Sequence, residues 1–157
     1  RVLIIPFGIG ATALHEWTAG GRLHPRVKYA AQQLNLAGIV PTHVLWHQGE
    51  DDARAGTASS DYIRMFTELV QALRDYGINA PVFPAIASIC DDLGNDAIRS
   101  AQRALPEQIA GVHPGADTDS LSDMRDRFDN CHFSEQGLQA HAQLWSEVIL
   151  SREEGKQ

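Results

Sequence analysis

The chain has 157 residues, a formal net charge of −7 and a sequence pI near 5.4. This length suits one domain with a single core, and no shift in composition marks a linker. Because the 13 Lys and Arg residues are scattered among 20 Asp and Glu, and apolar runs are far shorter than the roughly 20 residues of a membrane span, nucleic acid and membranes are not expected partners.

An apolar run at residues 2–7 predicts a buried strand, which ends at the glycines of positions 8 and 10. Glycines there let backbone amides approach a ligand closely. The run directly follows Arg1, without an initial Met or polar leader. We therefore expect this sequence to be part of a longer polypeptide, incomplete at its N-terminus.

Strand patterns alternate with helix patterns along the rest of the chain. The further predicted strands cover residues 43–46, 81–89 and 109–113. The predicted helices begin near Pro25, Ser59 or Ser60, Asp92 or Asn95, and Ser134. The second helix has an apolar face of Tyr62, Met65, Phe66, Leu69, Val70 and Leu73, and the last has one of Leu138, Ala142, Trp145, Val148 and Ile149. This alternation predicts an α/β fold, with a parallel sheet between layers of helices.

The segment from Val44 to Ala53 combines a buried strand with an unusual polar loop. Three β-formers, Val44, Leu45 and Trp46, precede His-Gln-Gly-Glu-Asp-Asp at residues 47–52. Polar groups that follow a parallel strand collect where α/β sheets bind ligands. A solvated turn accounts for Asp51 and Asp52, but not for Trp, His and Gln within the same few positions.

His47, Gln48, Gly49 and Glu50, with Trp46 before them and Asp52-Ala53 after them, resemble the third sequence block of the sialate O-acetylesterase and acetylxylan esterase group. This group is carbohydrate esterase family six, within the SGNH hydrolase superfamily. Its second block is similar to Gly10-Ala11-Thr12, with Leu14 and Trp17, although Ala11 replaces a glycine. Its last block, Asp-x-x-His, is similar to Asp129 and His132, directly before the final helix.

The resemblance implies one esterase domain over residues 1–157, with a flavodoxin-like sheet in a three-layer sandwich. The domain would lack its first strand and helix. The family places its nucleophilic Ser in a Gly-x-Ser block before everything seen here, and no serine of this chain has that setting. We therefore expect the Ser on a segment upstream of residue 1 or on a second chain.

The resemblance also implies a role for each matching residue. His132 would be the general base, and Asp129 would hold the proton of its other ring nitrogen. The backbone amide of Gly10 and the side chain of Gln48 would stabilise the oxyanion. Glu50 is an alternative partner for His132, or it braces its own loop.

Two tryptophans, Trp17 and Trp46, are candidates for stacking on a pyranose ring of the substrate. Packing inside the core is the alternative for both side chains.

Two cysteines, Cys90 and Cys131, are too few to be read as a disulfide framework. Spacing alone is typical of two buried thiols. Their positions after a strand and beside His132 favour a disulfide, which would close a loop of about 40 residues and contribute about 3 to 4 kcal/mol. A disulfide would also indicate a secreted or periplasmic location.

These observations predict a serine esterase that removes O-acetyl or other short acyl groups from carbohydrates, without a metal or another cofactor. A catalytically inactive glycan-binding module and an acyltransferase are alternatives. A metal-dependent hydrolase would draw its ligands from the acidic loop, but ligand pairs at metal-binding spacing are absent from the sequence. The expected partners are the acylated carbohydrate and the segment that carries Ser.

Overall fold

The computed structural model describes residues 2–91 and 94–154 of the chain. The helices are α1 (His24–Leu36), α2 (Glu50–Ala55), α3 (Ser59–Asp75), α4 (Asp96–Gln108) and α5 (Glu135–Glu154). Single 3-10 turns cover Leu14–Glu16 and Thr118–Ser120, and the strands are β1 (Val44–Trp46) and β2 (Val82–Pro84). The alternation of strands with helices confirms the predicted α/β class.

The two strands form a small parallel sheet in which Val44 is paired with Val82 and Trp46 with Pro84. On the other side of β2, the chain from Val112 to Asp117 runs parallel to it through isolated bridges. Three parallel segments therefore end at one edge of the sheet. The strand predicted at 81–89 is shorter in the structure, since regular pairing is confined to Val82–Pro84. The strand predicted at 109–113 is reduced to an isolated bridge at Val112.

The strand predicted at residues 2–7 is wrong for this structure. These residues have no regular secondary structure, and the Val2 side chain is 89% exposed. A strand needs a neighbouring backbone to satisfy its N–H and C=O groups, and β1 pairs only with β2 in the described sheet. Residues 2–7 are instead attached at their end, where Arg26 donates to the Phe7 carbonyl over 2.7 Å.

The core lies on both faces of the sheet, as expected from the alternation of side chains along a strand. Val82 packs with α3 and α4 in the larger cluster, and every residue of the predicted α3 face is buried there. Phe83 points the other way, into a second cluster with Trp145 of α5. The predicted apolar face of α5 is wrong in its first turns, because Leu138 is exposed.

Side chains at the helix starts test three of the predicted caps. Asn95 accepts a hydrogen bond from the Ile98 N–H over 3.1 Å, so it caps α4 as predicted. Its alternative, Asp92, lies outside the described residues. Ser134 accepts from the Gly137 N–H at the start of α5. The cap predicted at Ser59 or Ser60 is wrong, since the N-cap of α3 is Ala58. The Ser59 hydroxyl instead donates to the Ala97 carbonyl and links α3 to α4.

Among the helices described, none combines the length and the apolar character needed to cross a membrane.

Candidate active site

Asp129 and His132 lie in a tight hairpin directly before α5. Arg127 and Phe133 form an antiparallel bridge across it, and Phe128 N–H donates to the His132 carbonyl over 3.1 Å. The Asp129 carboxylate accepts the backbone N–H groups of Cys131 and His132 over 3.1 and 2.6 Å. Its second oxygen lies 2.7 Å from His132 Nδ1. The i, i+3 spacing therefore brings acid and imidazole together through the turn itself.

This contact fixes how the His132 ring is protonated. A carboxylate only accepts hydrogen bonds, so Nδ1 carries the proton and Nε2 of the neutral ring is the acceptor. The N–H groups donated by the His132 backbone and ring hold the pKa of Asp129 below its usual range. The His132 side chain is 72% exposed, so Nε2 is accessible to a proton donor from outside the hairpin.

A disulfide between Cys90 and Cys131 ties this hairpin to the segment that follows β2, which confirms the predicted pairing. The two Cα atoms are 4.1 Å apart across a sequence separation of 41 residues. Cys131 directly precedes His132, so the bond restrains the backbone at the position where the imidazole is attached.

Arg127 is a second attachment point that the sequence analysis missed. Its buried guanidinium donates to the carbonyls of Leu121, Ile89, Cys131 and Thr118. It also lies over the Phe133 ring, 4.4 Å from the centroid. One side chain thus joins the hairpin to two other segments at the same edge of the sheet. Nothing in the sequence distinguished Arg127 from a solvated surface charge.

Gln48 follows β1 and is buried, with 8% exposure. Its Nε2 donates to the Thr12 carbonyl over 3.1 Å and to Asp52 Oδ2 over 2.5 Å. The Tyr62 hydroxyl donates to Gln48 Oε1 over 3.3 Å. The adjacent Gly49 has φ +155°, and a Cβ there would lie 2.0 Å from the Ala87 carbonyl oxygen. Gln48 is therefore held against the loop that contains Gly10 and Thr12.

Asp52 belongs to the third sequence block, and the alternative interpretation of this segment as a solvated turn does not hold for it. It is fully buried, and its carboxylate accepts from Leu14 N–H, Gln48 Nε2 and the Thr57 hydroxyl. The solvated interpretation was wrong because the donors come from other segments of the chain. Apart from the place of Asp52 in the third sequence block, no local signal separated it from Asp51.

Glu50 lies beside His47 in the structure. Its Oε1 is 3.7 Å from His47 Nδ1. Nδ1 of His132 is hydrogen-bonded to Asp129 instead. His47 Nε2 donates to the Thr118 hydroxyl over 3.0 Å, since that hydroxyl itself donates to Ile86 O. Burial and, less strongly, the Arg127 charge lower the pKa of His47, although Glu50 opposes them. The geometry favours Asp129 over Glu50 as the partner of His132.

The proposed sugar-stacking residues, Trp17 and Trp46, are 2% and 8% exposed. Their rings meet edge to face with centroids 5.6 Å apart, and Trp17 Nε1 donates to the Thr12 hydroxyl. Packing in the core, which the sequence left open for both residues, is what the structure shows. Their ring faces are not presented to a ligand.

Contacts connect the three sequence blocks along one edge of the sheet. The hydrogen bond from Gln48 to Thr12 joins the third block to the second. The ring of His47 lies 6.1 Å from that of Phe133, next to His132. Gly10 itself is exposed, with open space where a Cβ would lie. In the described ranges, no three His, Cys, Asp or Glu side chains are arranged to hold a metal ion.

Residues 1–151 match the family described as carbohydrate esterase, sialic acid-specific acetylesterase, and the chain belongs to this family. It is 30% identical over 104 residues to a probable carbohydrate esterase of Arabidopsis thaliana. That alignment covers 65% of this chain and 40% of the relative, so the matched region spans two fifths of the relative's length.

Two solved structures share the fold. An X-ray structure of an Arabidopsis thaliana protein has a TM-score of 0.70 and 22% identity, covering 90% of this chain and 57% of that one. The crystal structure of a carbohydrate esterase family 3 protein from Talaromyces cellulolyticus has a TM-score of 0.53 and 19% identity, with coverages of 80% and 66%. At these identities the likeness shows the fold alone, and this fold is that of carbohydrate esterases.

Proposed function

We propose that this chain contributes the base and the oxyanion site of a serine esterase that removes O-acetyl or other short acyl groups from carbohydrates. The observation that carries the proposal is the 2.7 Å contact between His132 Nδ1 and Asp129 Oδ2. Membership of a carbohydrate esterase family supplies the class of reaction and substrate.

In the proposed first step, the serine hydroxyl oxygen attacks the ester carbonyl while His132 Nε2 takes the hydroxyl proton. Asp129 stabilises the imidazolium that forms. The sugar oxygen then leaves with the proton from His132, and an acyl-enzyme remains. Water attacks the acyl-enzyme by the same route, which releases the short carboxylic acid and restores the serine.

The oxyanion of each tetrahedral intermediate would accept hydrogen bonds from the Gly10 N–H and Gln48 Nε2. Preorganised donors of this kind stabilise the transition state by about 3 to 4 kcal/mol each. Both Gln48 amide protons bond protein acceptors in this structure. We propose that the weaker bond, to the Thr12 carbonyl, is exchanged for the oxyanion when substrate binds.

The serine nucleophile would come from a segment upstream of residue 1 or from a second chain. The edge of β1 that faces away from β2 offers a place for it, since no described strand pairs there and Leu45 is 43% exposed. A parallel strand added at this edge would end beside Gln48. A serine immediately after such a strand would lie at the same edge of the sheet as His132.

Replacing His132 with Ala, in the polypeptide that also carries the serine segment, tests the proposed function. We expect kcat for acetate release from an acetylated sugar to fall by at least about 10³-fold, because proton transfer and its orientation are lost together. The thermal transition should stay nearly unchanged, since the side chain is exposed. His15→Ala, at another exposed histidine, is the matched control. Retained turnover in His132→Ala contradicts the assignment.

The full occupancy of the Gln48 amide favours a second candidate, a glycan-binding module without catalysis. Mass spectrometry of the purified material separates the two functions. A Gly-x-Ser peptide that reacts with a serine-directed phosphonate supports the esterase, whereas unlabelled material that binds acetylated sugar supports the module. Transfer of the acyl group to an added sugar, in place of water, would identify an acyltransferase on the same site.

The disulfide supports a secreted or periplasmic location, because structural disulfides persist in oxidising compartments. Titration of unreduced, denatured protein isolated from its native compartment tests this. The location predicts no free thiol from Cys90 or Cys131, and two thiols would contradict it.

A further inference from the structure

Asp52 joins the two segments from which the proposed oxyanion donors come. Its carboxylate is fully buried in the first turn of α2. Oδ2 accepts the Leu14 N–H over 2.7 Å and Gln48 Nε2 over 2.5 Å. Oδ1 accepts the Thr57 hydroxyl over 2.8 Å. A buried carboxylate is costly unless its oxygens are satisfied, and neutral donors from three segments satisfy this one.

The carboxylate determines which way the Gln48 amide faces. A carboxylate accepts hydrogen bonds and donates none, so the amide nitrogen, not its oxygen, must lie against Asp52. On the opposite side of the amide, the Tyr62 hydroxyl shares its proton between the Gln48 backbone carbonyl at 3.1 Å and Oε1 at 3.3 Å. With one Nε2 proton fixed by Asp52, the second is directed at the Thr12 carbonyl, beside Gly10.

The same oxygen also sets the distance between the two loops. Leu14 follows the loop of Gly10 and Thr12 by two residues and opens the 3-10 turn Leu14–Glu16. Because its N–H and Gln48 Nε2 share one acceptor, the first loop cannot shift relative to the Gln48 side chain without losing a bond. One carboxylate oxygen thus holds the Leu14 end of this loop and Gln48 Nε2 at a fixed separation.

We propose that Asp52 is a positioning residue for ester hydrolysis, which orients the Gln48 amide and aligns it with the Gly10 loop. This inference rests on the proposed function for its kinetic consequence. The link between Asp52 and Gln48 can be measured whether or not the chain takes part in catalysis.

Asp51 supplies a matched control on the same turn of α2. It has the same chemistry, but its side chain is partly exposed and it pairs with Arg54 over 2.7 Å. Replacing either acid with Ala removes one carboxylate, yet only Asp52→Ala releases the Gln48 amide. A general effect of charge would appear in both variants.

The kinetic experiment compares Asp52→Ala, Asp52→Asn and Asp51→Ala in the polypeptide that carries the serine segment. We expect Asp52→Ala to lower kcat about 10- to 100-fold with little change in KM, because the oxyanion exists only in the transition state. Asp52→Asn should recover most of kcat, since its oxygen can replace Oδ2 while its NH2 donates to Thr57. Asp51→Ala should stay within about twofold of the unsubstituted protein.

A double-mutant cycle tests whether Asp52 acts through Gln48. If it does, Gln48→Ala combined with Asp52→Ala should lose no more kcat than Gln48→Ala alone. The inference would be overturned if the losses of kcat in the two single variants multiplied in the double variant. It would also be overturned if Asp52→Ala changed only KM, or if a folded Asp52→Ala variant kept its kcat.

NMR of the unsubstituted protein provides a readout that needs neither turnover nor a folded variant. We expect one Gln48 Nε2 proton to resonate downfield and exchange slowly with solvent, because it bonds a buried carboxylate. Absence of this signal overturns the positioning role even if the esterase is active. Conversely, an inactive enzyme that shows the signal contradicts the proposed reaction and leaves the Asp52–Gln48 link supported.

Discussion

The two sides of the candidate site are held in place by different means. His132 is exposed, on a hairpin fastened by Asp129, the disulfide and the Arg127 guanidinium. Gln48 is buried, and it is fixed by hydrogen bonds from Tyr62 and to Asp52 and Thr12. One side is a surface loop with strong attachments, and the other is part of the polar interior.

This difference fits the two tasks proposed for the site. A general base must exchange its proton with serine, sugar and water, so it needs to be reachable, and its loop must be stiffened from outside. An oxyanion donor moves no proton and gains from a fixed dipole in a dry environment. Changes to the hairpin attachments and changes to the buried network should therefore have separable effects.

Replacing Arg127 with Met should have the largest effect on stability. The guanidinium donates to four carbonyl oxygens in three segments of the chain, and each lost bond costs about 1 kcal/mol. We expect the free energy of unfolding to fall by about 3 to 5 kcal/mol in urea titrations. Arg125→Met is the control, since Arg125 is exposed and pairs with the exposed Asp123 at 3.1 Å. Equal losses in both variants would show that Arg127 does not anchor the hairpin.

Removing the disulfide should have the next largest effect. We expect Cys90→Ser with Cys131→Ser to lower the free energy of unfolding by about 3 kcal/mol, because the unfolded chain gains conformational freedom. The His132 loop should also become looser, so kcat should fall more than KM changes. Reductant should lower the free energy of unfolding of the unsubstituted protein and leave that of the double variant unchanged. Unchanged kcat would mean that Asp129 and Arg127 are sufficient to hold the base.

Replacing Tyr62 with Phe probes the buried side with a smaller change. The hydroxyl donates to Gln48 and accepts from Gln102 Nε2 over 3.3 Å. Its loss leaves polar atoms in the core with fewer partners, at a cost of about 1 to 2 kcal/mol. We expect this shift in urea titrations, with little effect on the hairpin. Tyr29→Phe is the control, because Tyr29 is largely exposed, and the comparison fails if both variants lose the same stability.

The sequence predicted best what depends on local spacing. Apolar residues at helical intervals identified the buried face of α3, from Tyr62 to Leu73. The position of each cysteine after a strand or beside His132 indicated the disulfide. The i, i+3 spacing of Asp129 and His132 indicated a turn in which the carboxylate reaches the imidazole, while their catalytic roles stay predictions.

The rest depended on partners far away in sequence. Asp51 and Asp52 are chemically identical neighbours, and only Leu14, Gln48 and Thr57 decide which is buried. Residues 2–7 have the composition of a strand, but a strand also needs a neighbouring strand to pair with, and composition does not show whether one is present. Arg127 is held by backbone carbonyl groups. Every residue has one, so a sequence pattern cannot show which of them will accept its hydrogen bonds.

The smallest expected effect concerns His141, which contacts both sides of the site. Its ring lies 5.2 Å from that of His47 and 4.9 Å from that of Phe133, and its Nε2 accepts from Trp145 Nε1 over 3.2 Å. Burial, then the neighbouring His47 and Arg127 charges, lower the pKa of His141 to about 4. Protonation would remove the acceptor for Trp145, so the folded state favours the neutral ring.

This lowered pKa predicts a loss of stability with acid. Because the unfolded chain binds the proton near pH 6.5 and the folded chain only near pH 4, the stabilisation is complete above pH 6.5 and declines as pH falls towards 4. After discounting for the partly exposed ring, we expect about 1 kcal/mol. His141→Gln keeps an acceptor for Trp145 and should flatten this part of the stability curve, whereas His15→Gln at an exposed site should not. Parallel curves for His141→Gln and the unsubstituted protein would mean that the His141 ring binds its proton equally in the folded and unfolded states, which would contradict the lowered pKa.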